Sequence, residues 1–127
     1  MEHYLIDTNI VSKYFSASFS ETAMQLLDKA FDAIPNFSVI TQIELLCWKI
    51  GDDIEQNVRD FINDSVVLDI SPEVIENCVS IRKGKKIKTP DAIIAATALA
   101  HSFTLISNNE KDFSNIRGLT VINPEKL

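Results

Sequence analysis

The chain has little glycine: 3 residues in 127, with Gly51, Gly84 and Gly118 each standing alone. A phosphate-cradling loop needs clustered glycines so that the backbone can approach the phosphates, which excludes P-loop and Rossmann nucleotide binding. Cysteine is scarce too. Cys47 and Cys78 lack the paired spacing of a zinc site, and buried packing is the role expected of both. The longest nearly apolar run, Ala92 to Ala100, falls far short of the ~20 residues a spanning helix needs, so no membrane partner is expected. Nothing ahead of Tyr4-Leu5-Ile6 has a signal-peptide pattern, so the expected compartment is the cytoplasm. Positive charge is also short. A net charge of −6 repels phosphate at long range, so any nucleic-acid role must rest on local features.

What is present suits one compact domain over residues 1–127, with a hydrophobic share of 46% that is ample for a single core. Short β-type runs recur at His3 to Ile6, Phe37 to Ile40, Val66 to Ile70, Phe103 to Ile106 and Leu119 to Ile122. Helical patterns fill the intervals. Ile10 to Phe15 is short, and Glu21 to Ala33 carries Ala23, Met24, Leu27, Ala30 and Phe31 at core-facing spacing. Thr41 to Ile50 and Asp53 to Ile62 form a pair broken at Gly51, and Ser71-Pro72 starts a helix running to Ile81. From Pro90 onward the pattern is apolar on nearly all sides. Strands alternating with helices predict an α/β fold: a single-domain three-layer α/β/α sandwich around a mostly parallel five-stranded sheet. Ligands of such sheets bind beyond the carboxyl ends of the strands.

Carboxylates gather at that edge. Asp7 follows the first strand, Glu44 lies just beyond the second, Asp91 opens the apolar helix, and Asp112 lies in the turn after Thr104-Leu105-Ile106. Each has a local alternative. Asp7 or Thr8 can cap a helix, Thr41-Gln42-Ile43-Glu44 matches a capping box, and Thr89-Pro90-Asp91 reads as cap, first and second helical residues. Asp112 alone reads as a solvated loop acid. Independent capping does not predict that all of them meet at one edge. Clustered carboxylates repel one another and need protons or cations to persist at neutral pH. Oxygen ligands without His or Cys suit Mg²⁺ or Mn²⁺, which complete their shells with water and substrate phosphate. Phosphodiester cleavage is the chemistry that follows.

A second local feature is the basic run Arg82, Lys83, Lys85, Lys86 and Lys88, just ahead of Asp91. It suits either contact with RNA phosphates or a solvated loop. His3 and His101 are expected to be structural or exposed, since the proposed chemistry needs no histidine base. Among rival α/β folds with an acid after the first strand, the haloacid-dehalogenase pattern wants a second Asp where this chain has Asn9. The receiver pattern wants a paired acid and an Asp after the central strand; neither demand is met.

Taken together, strand-Asp7-Thr8-Asn9, the Glu44 box, Pro90-Asp91-Ala92 with its alanine-rich helix, and Ser107-Asn108-Asn109-Glu110-Lys111-Asp112-Phe113 resemble a PIN domain over essentially the whole chain. Within that family the chain looks most like the VapC-type toxin of bacterial VapBC toxin–antitoxin pairs. The resemblance implies a metal-dependent endoribonuclease with Asp7, Glu44, Asp91 and Asp112 as catalytic and metal-binding residues. Thr8, Asn9 and Ser107 would be polar support. It also implies an RNA substrate, either tRNA or mRNA, a VapB-like antitoxin partner, a homodimer, and products with 3′-hydroxyl and 5′-phosphate ends. Some relatives carry a further acid where this chain has Asn108 and Asn109, which leaves one or two metal ions open. A PIN fold serving only as a binding scaffold is the alternative.

Overall fold

The computed structural model describes residues 3–15, 19–49 and 51–127. Its elements run β1 (Tyr4–Ile6), α1 (Thr8–Phe15), α2 (Glu21–Asp32), β2 (Asn36–Ser38), α3 (Val39–Leu46), α4 (Asp52–Asn63) and β3 (Val66–Leu68). They continue with α5 (Pro72–Gly84), α6 (Thr89–His101), β4 (Thr104–Ile106), α7 (Glu110–Phe113), β5 (Val121–Ile122) and a closing 3₁₀ turn at Pro124–Lys126. The five strands lie in the order β3-β2-β1-β4-β5, every pairing parallel. Parallel neighbours cannot be joined by hairpins, so each crossover carries helix, and the helices cover both faces.

Strand alternation divides the core into two. Leu5 pairs with Leu105, and both pack with Val74, Ile81 and the alanines of α6; Ile6 pairs with Ile106, and both pack with Ile10, Leu27, Phe37, Leu45 and Val58. The sheet is therefore the middle layer of the expected sandwich. Helix α6 buries Ala92, Ile94, Ala95, Ala96, Thr97 and Ala98, and its small side chains let the helix lie close to its neighbours. Thr97 fits there because its hydroxyl donates to the Ile93 carbonyl at 2.7 Å. Among the described residues, no helix is long and apolar enough to cross a membrane.

Several boundaries differ from the sequence expectation for local reasons. Val39 and Ile40 belong to α3 rather than to a strand, because Ser38 turns the chain and its hydroxyl accepts the Ile40 N–H at 3.1 Å. A short apolar run does not by periodicity distinguish a buried strand from a buried helix. Helix α3 ends at Leu46, short of the expected Ile50, which lies outside the described residues. The cap of α6 is Lys88 rather than Thr89. Helix α5 runs on to Gly84, placing Arg82 and Lys83 in its last turn beside the negative dipole end. Cys47 is exposed beyond the end of α3 rather than buried, whereas Cys78 is half-buried.

Phe37 is fully buried and meets the Phe61 ring edge-on at 5.3 Å, so it joins β2 to α4. Phe37→Ala is expected to cost about 3–5 kcal/mol of unfolding free energy, read as a lower denaturation midpoint in urea with an unchanged slope.

Candidate metal centre

Asp7 extends β1 by one step, its N–H donating to the Ile106 carbonyl at 3.0 Å, while its own carbonyl starts α1. Backbone pairing thus fixes the residue before its side chain is considered. The carboxylate is 5% exposed. Its Oδ1 accepts the Thr8 N–H at 2.8 Å and its Oδ2 accepts the Ser107 hydroxyl at 2.8 Å. Ser107, directly after β4, is itself held by its N–H on the Ile122 carbonyl at 3.0 Å and by the Asn109 N–H on its Oγ at 3.0 Å. Burial raises the Asp7 pKa above the ordinary carboxylate value; the Ser107 and Thr8 hydrogen bonds oppose this, and the charge of Glu44 adds to it.

Glu44 is not a capping residue. It stands a full turn into α3, whose cap is Ser38, and its Oε1 accepts the Thr8 hydroxyl at 2.7 Å. Thr8 Oγ1 also lies 3.1 Å from Thr41 Oγ1. A hydroxyl has one proton, and the carboxylate is the stronger acceptor, so Thr41 is left to donate into Thr8. Thr8 therefore ties Asp7 to Glu44, by its backbone on one side and its hydroxyl on the other.

Asp91 is half-buried in the first turn of α6, with the Asp112 carboxyl close enough to act on its titration. Like charges this close disfavour the ionised form of Asp91. The Asp91 pKa is pushed up to about 6, first by burial, then by the Asp112 hydrogen bond, then by the negative charges of Asp7, Asp112 and Glu44. Asp112 is oriented by Asn109, whose Nδ2 donates to Oδ2 at 2.9 Å and whose Oδ1 accepts the Asp112 N–H at 3.3 Å. Asp7, Glu44 and Asp112 thus all act on Asp91, and Glu44 acts on Asp7, with Asp7, Glu44 and Asp112 beyond the carboxyl ends of β1, β2 and β4.

Among the described residues, no ion pair involves these four carboxylates; the described pairs are Lys13 with Glu125, Arg59 with Glu55 and Lys126 with Glu110. Glu110 and Glu125, which have lysine partners, are shifted downward instead. Among the described residues no three acidic, His or Cys side chains are already disposed as a coordination shell. The donor set still fits a hard divalent cation. It is all oxygen, it is partly withdrawn from water, and the raised Asp91 pKa reflects, beyond burial, negative charge that a cation would offset.

A family model for the PIN domain matches residues 4–119. The chain belongs to the PIN domain family. Ribonuclease VapC1 of Rickettsia felis is 50% identical to it over 36 residues, a stretch spanning 28% of this chain and 27% of that relative. A toxin–antitoxin complex from Klebsiella pneumoniae contains a chain of similar fold, with TM-score 0.75 and 34% identity, covering 95% of this chain and 97% of that one. FitAcB from Neisseria gonorrhoeae matches with TM-score 0.76 and 25% identity over 98% of this chain and 99% of that one.

The remaining predicted residues of this PIN domain are placed less uniformly. Asn9 is exposed on α1, and its side chain makes no hydrogen bond among the described residues; its carbonyl accepts the Ser12 hydroxyl at 2.9 Å. In the basic run, Arg82 Nε donates to the Ile87 carbonyl at 3.1 Å, and Lys85 Nζ donates to the carbonyls of Ser114 at 2.6 Å and Lys111 at 3.2 Å. These two shape the loop and hold α7; Lys83, Lys86 and Lys88 point into solvent. His3 and His101 are exposed beside Phe103, at the amino end of the strands, remote from the carboxylates. Sequence reading missed Thr41 and the orienting role of Asn109. Thr41 lies one helical turn before Glu44 and so shares its face, a signal hidden by the capping-box match.

A raised folded pKa means that the folded state holds the Asp91 proton more tightly than the unfolded chain does. Its contribution to stability is full below the ordinary value of 3.8 and is lost as pH rises through about 6. In EDTA, the melting temperature of Asp91→Asn relative to wild type is expected to rise by a few degrees between pH 4 and pH 7. A constant difference across that range would contradict the raised Asp91 pKa.

Proposed function

We propose that this PIN domain is a metal-dependent endoribonuclease that hydrolyses RNA phosphodiester bonds, with Asp7, Glu44, Asp91 and Asp112 as its catalytic and metal-binding acids. The observation carrying this reading is that Asp91, on α6, feels the charges of the other three acids, which come from separate elements. When bound, Mg²⁺ or Mn²⁺ supplies positive charge against phosphate oxygens and acidity for a water. The protein supplies position. Ser107 and the Thr8 N–H fix both oxygens of Asp7, Thr8 fixes Glu44, and Asn109 fixes Asp112. Burial of Asp7 behind β1 and β4 limits water around the deepest donor. The raised Asp91 pKa would make cation binding there weaker in acid.

The wider reading is a VapC-type toxin that blocks translation by cutting tRNA or mRNA in the cytoplasm, restrained by a VapB-like antitoxin and acting as a homodimer. Toxin–antitoxin complexes among the structural relatives support the partnership. Exposed apolar side chains support protein contacts: Ile75 and Val79 share one face of α5 beside Ile70, and Phe15 and Ile34 flank the opposite helical layer.

Purified protein incubated with mixed RNA and Mg²⁺ or Mn²⁺ is expected to cleave it, and Asp7→Asn or Asp91→Asn to slow cleavage at least ~100-fold. EDTA should abolish it. Cleavage that survives both substitutions would refute the assignment, and folded wild type that leaves RNA intact would favour the scaffold alternative.

A further inference from the structure

A cavity of about 370 Å³ opens between α5, the end of α6 and the loop after α7, lined among others by Ser80, Gly84, Lys85, Leu99, Asn115 and Arg117. It is separate from the carboxylates but mechanically joined to them. Lys85 holds the carbonyl of Ser114, the residue between Asn115 and the short helix that carries Asp112. Three residues of chain span at most about 11 Å, so the cavity wall at Asn115 lies within that distance of the Asp112 backbone.

The chemistry of the walls is specific in a chain of charge −6. Arg117 is exposed and has no ion-pair partner among the described residues, and the side chains of Ser80, Asn115 and Arg117 make no hydrogen bond there. Lys85 uses two of its three N–H donors on carbonyls and retains one. Leu99, whose Cδ2 lies 3.5 Å from where a Cβ on Gly118 would stand, gives the cavity an apolar wall. Two cations, an amide and a hydroxyl around an apolar wall match a phosphate, a ribose and a base face. The volume lies at the lower end for small-molecule sites and suits one nucleotide rather than a helix or strand of a partner protein.

We propose that this cavity is a subsite for one nucleotide of a bound single-stranded RNA, set apart from the position at the carboxylates along the same RNA strand, with Arg117 as its main phosphate contact. The placement rests on the ribonuclease reading for its substrate class. It assigns specificity away from the cleavage point to α5 and the α7–β5 loop, and it moves the RNA contact from the exposed lysines of the basic run to Arg117, with Lys85 as bridge.

The test uses the full chain in EDTA, where binding is read without cleavage. A six-nucleotide single-stranded RNA of mixed sequence is titrated into ¹⁵N-labelled protein, with mononucleotides as a parallel arm. The amides of Ser80, Gly84, Asn115 and Arg117 are expected to shift with the RNA. Arg117→Ala should weaken binding about tenfold and reduce the slope of log affinity against log salt by about 0.7. Arg117→Lys should restore the slope, and Lys29→Ala, on the far helix α2, should change neither. Unmoved cavity amides, an Arg117→Ala protein indistinguishable from Lys29→Ala, or mononucleotides binding as tightly as the RNA would each overturn the subsite. RNA binding in the cavity by a protein that cleaves nothing with Mn²⁺ would overturn the nuclease reading and leave the subsite standing.

Discussion

Asp112 lies close enough to Asp91 to act on its titration, in a place where Asp7 and Glu44 already contribute negative charge. Like charges in a partly dry site cannot all persist, so the site must take up protons or a cation. Everything around it holds that repulsion in place. Asp7 is fixed by backbone pairing with β4, Glu44 by the Thr8 hydroxyl, Asp91 by a buried helix, and Asp112 by Asn109. Side chains free to move would separate; these are built into elements whose burial stabilises the fold more than the repulsion destabilises it.

The parallel sheet gives this arrangement its economy. Strands β1, β2 and β4 all end at the same edge, so residues just past them meet even though Asp7 and Ser107 are 100 positions apart in sequence. Thr8 shows how tightly the local and distant constraints are joined. Its backbone serves its neighbour Asp7 and its hydroxyl serves Glu44 on another helix. The alanine-rich α6 matters too, since it is buried along much of its length and carries Asp91 in its first turn.

Much of this was legible in the sequence because apolar runs and turn signals report strand ends directly. Asp7 after Tyr4-Leu5-Ile6 could be placed at the sheet edge from pattern alone, and the order of elements implied a parallel sheet. The second strand was less legible. Val39 and Ile40 look like strand until Ser38 turns the chain, and the resulting shift changes Glu44 from a third helical residue that could cap into one that cannot. The basic run misled in a different way. Spacing showed five cations together, but only side-chain geometry reveals that Arg82 and Lys85 bind backbone carbonyls. Asn109 looked like a missing acid, whereas it orients the acid three residues on.

Mn²⁺ binding is the most direct test, because the cation and the Asp91 proton compete for the same carboxylate. Calorimetric titration of the metal-free protein near pH 6, in buffers of different ionisation enthalpy, should give saturable binding with release of a fraction of a proton to about one proton. Asp91→Asn should weaken the binding and remove the release. Binding without proton release, or binding equally strong after Asp7→Asn and Asp91→Asn, would contradict the account.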